Sequence, residues 1–262
     1  NGIVVTPGGV VDAAGGVVLS TLDIADGDFL DGMDDSFVGT TAAGVVNYGT
    51  VMSAGGDVVL LGNFVDNQGI IGAPDGVVAL GAGGNIVVHA QGENKISVKA
   101  PGVGAATGVN NSGTITGAAA ELKAHGNVYA LAINNSGLIR ATGSATINGR
   151  VVLTSRSADG KVGGDIENSG EIKANNADGS GGFVMIDGGP GSHVGIVDGE
   201  VSVSGIGDRP GGEMVVIGQT IDIGPKARLS ADGSEGGSII IGSVEDTHAV
   251  TIGGKVSANG IS

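Results

Sequence analysis

The sequence predicts an all-β protein, a right-handed parallel β-helix (a solenoid) with rungs of about 20–24 residues and a short excursion near residues 20–37. Three observations predict it. An Asn-x-Gly phrase returns along the chain, at Asn47-Tyr48-Gly49, Asn67-Gln68-Gly69, Asn111-Ser112-Gly113, Asn135-Ser136-Gly137 and Asn168-Ser169-Gly170, mostly leading into short aliphatic runs. Units this small cannot bury an apolar face alone and must stack on their neighbours. The apolar runs are strand-sized, β-branched and bounded by Gly, Asn or Asp. Finally, glycine supplies 54 of 262 residues while hydrophobics reach 40% and aromatics only 2%, so the core is built from thin aliphatic layers. The glycines lack the strict every-third spacing of a collagen chain.

Taken in order, the predicted strands are Ile3 to Val5, Val17 to Leu19, Val58 to Leu61, Val77 to Leu80, Ile86 to Val88, Val151 to Leu153, Val215 to Ile217 and Ile239 to Ile241. Asp-Gly pairs at 75–76, 159–160, 178–179, 187–188, 198–199 and 232–233 are read as tight turns with positive-φ glycines. All six prolines lie between the apolar runs, where no ladder hydrogen bond is lost. The best helical stretch is Ser20 to Phe37, where Thr21, Leu22, Ile24, Phe29, Leu30 and Phe37 are interleaved with acids. An alanine-rich piece, Thr116 to Ala124, is read as strand and turn because it sits inside the repeat.

The Asn-to-Asn step is 20 from Asn47 to Asn67 and 24 from Asn111 to Asn135, but 44 from Asn67 to Asn111 and 33 from Asn135 to Asn168. The long steps predict a skipped unit or loop insertions. At about 4.8 Å per rung, about 11 or 12 rungs would make a rod of about 50 to 60 Å. Stacked at one corner, Asn47, Asn67, Asn111, Asn135 and Asn168 are expected to form an amide ladder, with the following glycine in a conformation other residues resist.

Gly2-Ile3, the run from Gly15 to Ile24, Asp28-Phe29-Leu30, Val45 to Thr50, Gly55 to Gly62, Val65 to Ile71 and Ala73 to Gly83 follow one another in an order that resembles a known family. They are similar to the haemagglutination-activity region of filamentous haemagglutinin-type exoproteins of two-partner secretion. The likeness covers roughly residues 1–90; residues 91–262 share only the style of an irregular repeat shaft, and the whole of 1–262 is expected to be one continuous β-helix. The resemblance implies a right-handed β-helix and export through an outer-membrane two-partner transporter. It further implies an adhesive or matrix role outside the cell or on the surface of a Gram-negative-type bacterium. The partners it implies are a host or neighbouring-cell surface, or other copies of the same chain. The family's leader and capping segment do not precede Asn1-Gly2-Ile3-Val4-Val5, which predicts either a fragment of a larger rod or bare ends that meet another copy.

The function classes narrow accordingly. A net charge of −15 argues against nucleic acid and against an anionic membrane surface. No apolar stretch is long enough to insert in a membrane. Cysteine is absent, which removes disulfides and thiolate metal sites. The densest acidic cluster, Asp23, Asp26, Asp28, Asp31, Asp34 and Asp35, supplies candidate calcium ligands by oxygen chemistry, but its spacing fits no calcium loop and a structural excursion is the preferred reading. No other cofactor is expected. A β-helical polysaccharide lyase or hydrolase is the rival class, yet the adjacent acid pairs Asp34-Asp35 and Glu245-Asp246 stand without companion motifs, and no nucleophile elbow, phosphate loop or zinc motif occurs. His89, His125, His193 and His248 are scattered and are expected on solvated faces. With no Trp, two Tyr and four Phe, sugar binding by ring stacking is poorly supplied. The sequence therefore predicts a non-enzymatic adhesive or structural segment, with a self-assembling filament subunit as its first alternative.

Overall fold

The computed structural model describes residues 2–104 and 106–260; Asn1 of the opening phrase lies outside them. The chain is nearly all β, with parallel strands gathered into one sheet of nine strands and one of fifteen, and a separate four-stranded antiparallel sheet. Every run read as a strand from the sequence lies in one. Alternation along each strand explains the stacking. In Val45–Asn47, Val65–Asn67 and Ile166–Asn168 the first and third residues are buried and the middle one faces out.

The nine-stranded sheet carries a strict register. Val45 lies on Val65, Val65 on Val109, Val109 on Ile133, Ile133 on Ile166, Ile166 on Val194 and Val194 on Ile221. These residues, with Ile71, Leu80, Leu122 and Leu153 from the larger sheet, form one continuous aliphatic core. The strand Ile70–Ala82 turns a corner within itself, at a register shift between Ala73 and Val77. Pro74 sits at that shift, inside a strand rather than between two, where its missing N–H costs no ladder bond.

No unit is skipped in the 44-residue step, because Val65–Asn67 pairs directly with Thr107–Asn111. The extra length is an insertion, the antiparallel hairpin Asn85–Val88 and Ile96–Ala100. An earlier insertion between Ile3–Val5 and Val45–Asn47 contains Asp23–Ile24, a six-residue helix Asp26–Asp31 and Asp35–Val38. The two insertions meet, with Asp35–Val38 pairing antiparallel to Asn85–Val88. Together they build the four-stranded sheet, which lies on the outside of the larger parallel sheet. Leu22, Phe37, Ile86, Val88, Ile96 and Val98 bury against Val59, Leu61 and Ala79 there. The helix is shorter than the 20–37 stretch suggested, and it leaves Phe29 and Leu30 exposed. With residues diverted into insertions and steps of up to 33, the first sheet stacks nine strands, fewer than the 11 or 12 rungs expected.

The glycines of the repeat serve a different purpose from the one expected. Gly49, Gly69, Gly113, Gly137 and Gly170 are not among the positive-φ positions. Instead, a Cβ on Gly69 would lie 2.1 Å from the carbonyl oxygen of Gly49, and one on Gly113 just 2.1 Å from that of Gly69. Each stacks on the one before, and that carbonyl accepts the next residue's N–H, as in Thr114 N–H to Gly69 O at 2.9 Å. Of the six Asp-Gly pairs read as tight turns, Gly160 and Gly179 have positive φ and the other four do not; Gly76 instead lies over Gly56 in the same close-approach manner. We therefore expect Gly113→Ala to push two tiers apart and cost about 1–3 kcal/mol. The midpoint of urea unfolding checks this, and an unchanged midpoint would refute the contact.

Candidate functional site

The first constellation is the amide ladder. Asn47, Asn67, Asn111, Asn135 and Asn168 are all fully buried. Asn47 Nδ2 donates to Asn67 Oδ1 at 2.8 Å, Asn67 Nδ2 to Asn111 Oδ1 at 2.7 Å, Asn111 Nδ2 to Asn135 Oδ1 at 2.7 Å and Asn135 Nδ2 to Asn168 Oδ1 at 2.7 Å. The dipoles run one way, so each bond polarises the next. The ends close locally: Gly49 N–H donates to Asn47 Oδ1 at 3.1 Å, and Asn168 Nδ2 donates to the Gly170 carbonyl at 3.2 Å. Beyond Asn168 the same register position becomes Ile196 and then Ile223, so the polar column continues as an aliphatic one. On the outer face beside it, Asn134 Nδ2 donates to Asn110 Oδ1 and Asn110 Nδ2 to Asp66 Oδ1.

The second constellation was not singled out in the sequence. Glu121 and Lys123 project from the outer side of the strand Thr114–Ala124 and are buried beneath the hairpin, Glu121 completely. The Glu121 carboxylate accepts from Lys95 N–H at 2.9 Å, Ile96 N–H at 3.1 Å, an Arg150 guanidinium nitrogen at 2.6 Å and Lys123 Nζ at 3.0 Å. Lys123 Nζ also donates to the Asn94 side chain at 2.9 Å and to the Ile96 carbonyl at 2.8 Å. Burial pushes the Lys123 ammonium below its ordinary value, opposed by the adjacent Glu121 charge. Arg150 reaches on to the Glu93 carbonyl, and Lys95 pairs with Asp57 at 2.8 Å. A buried carboxylate thus holds the hairpin against the parallel sheet by its backbone. A cleft of about 770 Å³ opens beside the hairpin tip, with Val152, Phe183 and Met185 as its apolar floor.

The six aspartates do not converge. Asp26, Asp28 and Asp31 lie on the short helix, Asp23 and Asp35 on flanking strands. Asp34 accepts from Ala90 N–H at 3.0 Å and pairs with His89 Nδ1 at 2.6 Å, and the bond to His89 holds its carboxyl below the usual range. Asp35 is shifted upward by burial and by the charges of Asp31 and Asp28. Among the described residues no three His, Asp or Glu side chains form a cation-sized group. The histidines divide: His193 and His248 are exposed, whereas His89 joins the hairpin to Asp34 and His125 is half-buried with Nδ1 unpartnered, its pKa lowered by burial.

Two further ties run between tiers. Arg156 donates to Asp187 through Nε at 2.8 Å and to Asp246 at 2.6 Å, and the Asp187 bond pushes the guanidinium pKa upward. Tyr129 is buried and donates its hydroxyl to the Asn63 carbonyl at 2.6 Å; burial pushes its phenol up to about 12. In the unfolded chain the phenol ionises near its ordinary 10.0, so stability from this group is complete below that pH and falls as pH rises toward about 12. Tyr129→Phe is expected to flatten stability between those values, and denaturation midpoints across alkaline pH measure it.

The molecule is thus a protein of parallel β ladders, held inside by stacked amides and outside by an ion cluster that anchors an antiparallel sheet. Among solved structures, the chain is similar to the secretion domain of HMW1 from Haemophilus influenzae, at 20% sequence identity over 98% of this chain and 78% of that one, with a TM-score of 0.43. No family model matches the sequence, and no curated protein matches it.

Proposed function

We propose that the chain is one right-handed parallel β-helix serving as a secreted or cell-surface adhesive segment of the filamentous haemagglutinin type. The nine-stranded sheet is one of its faces, the larger sheet supplies two more by turning a corner within Ile70–Ala82, and the preference of parallel crossovers for one hand sets its handedness. The observation that carries the functional reading is the shared register of the stacked tiers, which presents long continuous faces for contact. The resemblance of residues 1–90 to the haemagglutination-activity region adds the export route, through an outer-membrane two-partner transporter. The reading is non-enzymatic. The charged groups best placed for chemistry, Glu121, Lys123 and Arg150, are engaged with one another and with the hairpin backbone.

No resident cation is assigned to Asp23–Asp35. Calcium or a chelator is accordingly expected to leave the thermal midpoint unchanged, and a rise that saturates with calcium would show a specific site there. Attachment tests the function itself. Beads coated with the folded chain should adhere to cell monolayers or matrix, while beads coated with heat-unfolded chain should not. Equal, negligible retention of both would overturn the adhesive reading.

A further inference from the structure

One outward row of the larger parallel sheet runs in register from Val18 through Val59, Ala79 and Glu121 to Val152, Met185, Val215 and Ile240. The antiparallel sheet covers Val59 and Ala79, and its hairpin covers Glu121. Past Val152 the cover stops. Met185 and Val215 are half-buried, Ile240 is 47% exposed, and the cleft at the hairpin tip opens onto Val152, Phe183 and Met185. The aliphatic row therefore runs on beyond its lid.

We propose that this uncovered row is a docking surface for a basic amphipathic α-helix of a partner polypeptide. It continues an interface the fold already uses, and its rim carries exposed Glu93 and Glu213, which make no ion pair among the described residues. A second copy of the chain is disfavoured, since 27 acidic against 12 basic residues make two copies repel. Two observations select a helix over an added strand. The Ile96 N–H is taken by Glu121 and the Ile96 carbonyl by Lys123, so side chains already occupy the edge at which the antiparallel sheet would grow. The row also repeats at about 4.8 Å. A helix presents one face about every 5.4 Å, whereas alternate residues of a strand lie about 6.8 Å apart. Three intervals from Val152 to Ile240 span about 14 Å, which about 10 helical residues cover.

The surface is tested with three fluorescein-labelled synthetic peptides on the whole chain: a Leu/Lys peptide with helical periodicity, a Leu/Lys peptide with strict alternation, and a Leu/Glu helical peptide. The helical Leu/Lys peptide should bind, weakening at least tenfold with Val215→Lys and with Ile240→Lys. Binding should hold with Ile206→Lys, an exposed apolar site elsewhere. Ile240 is already solvated, so its variant keeps the test open if Val215→Lys fails to fold. Three results would overturn the proposal: equal loss with Ile206→Lys, tighter binding of the alternating or acidic peptide, or self-association of the chain that Val215→Lys abolishes.

Discussion

Glu121→Ala is expected to be the most damaging single substitution of a charged residue. The wild-type carboxylate is fully buried and accepts four hydrogen bonds, two from the hairpin backbone and two from cations. Removing it leaves Lys123 and Arg150 without their shared counter-charge and orphans the Lys95 and Ile96 amides. Breaking a buried pair from one side costs about 3–5 kcal/mol. The loss should be local first. The hairpin lifts while the aliphatic column beneath persists, because Ile71, Leu80, Leu122 and Leu153 belong to the separate inner core. Trypsin should then cleave at Lys95 faster than in the wild type, and hydrogen exchange at Ile96 should accelerate, while exchange along the Asn111 tier stays slow. Glu121→Gln, which keeps the shape and an acceptor, should fall between. Wild-type protection at Ile96 in the alanine variant would contradict this account.

The second large effect is expected at the middle of the amide ladder. Asn111 accepts from Asn67 and donates to Asn135, both fully buried. Asn111→Leu has a similar volume and still destabilises, because it strands the Asn67 amide and the Asn135 oxygen. An unsatisfied buried group costs about 1–3 kcal/mol, so the pair amounts to about 2–6 kcal/mol. The Asn168 end differs: its amide closes on the Gly170 carbonyl at 3.2 Å, and the next tier is already aliphatic at Ile196. Asn168→Leu is therefore expected to cost clearly less than Asn111→Leu. Urea midpoints of the two variants measure the difference, and equal losses would contradict the assignment of the larger penalty to the stranded Asn67 amide and Asn135 oxygen.

The repeat made the parallel ladders legible because one physical demand, stacking without a Cβ, falls on the same position from Gly49 through Gly69, Gly113 and Gly137 to Gly170. Asn and Gly mark that position even where the step between them stretches to 44 or 33 residues. The sequence misled on why glycine is there. Asn-x-Gly reads like a turn, but Gly113 and Gly137 are confined by the carbonyl of the tier before, not by a positive φ. The antiparallel sheet was illegible for another reason. Ala120, Glu121, Leu122 and Lys123 alternate apolar and charged, the pattern of a strand with one wet face. Nothing nearby records that a hairpin from about 25 residues upstream covers that face. Likewise, Leu22 and Phe37 suggested a helical stripe, yet they are the inward contacts of two antiparallel strands and their flanks, with only Asp26–Asp31 helical between them.

Successive tiers stack in one column with the register seen at the Asn ladder. Absence of cysteine allows clean spin-label pairs. Val46, Glu167, Asp222 and Thr251 share one outward row, four, six and seven tiers apart from Val46 respectively. Val46→Cys paired in turn with Glu167→Cys, Asp222→Cys and Thr251→Cys should give electron–electron distances growing through about 19, 29 and 34 Å, at about 4.8 Å per tier. Distances that fail to grow in that order, or that stay alike for all three pairs, would contradict the stacked column.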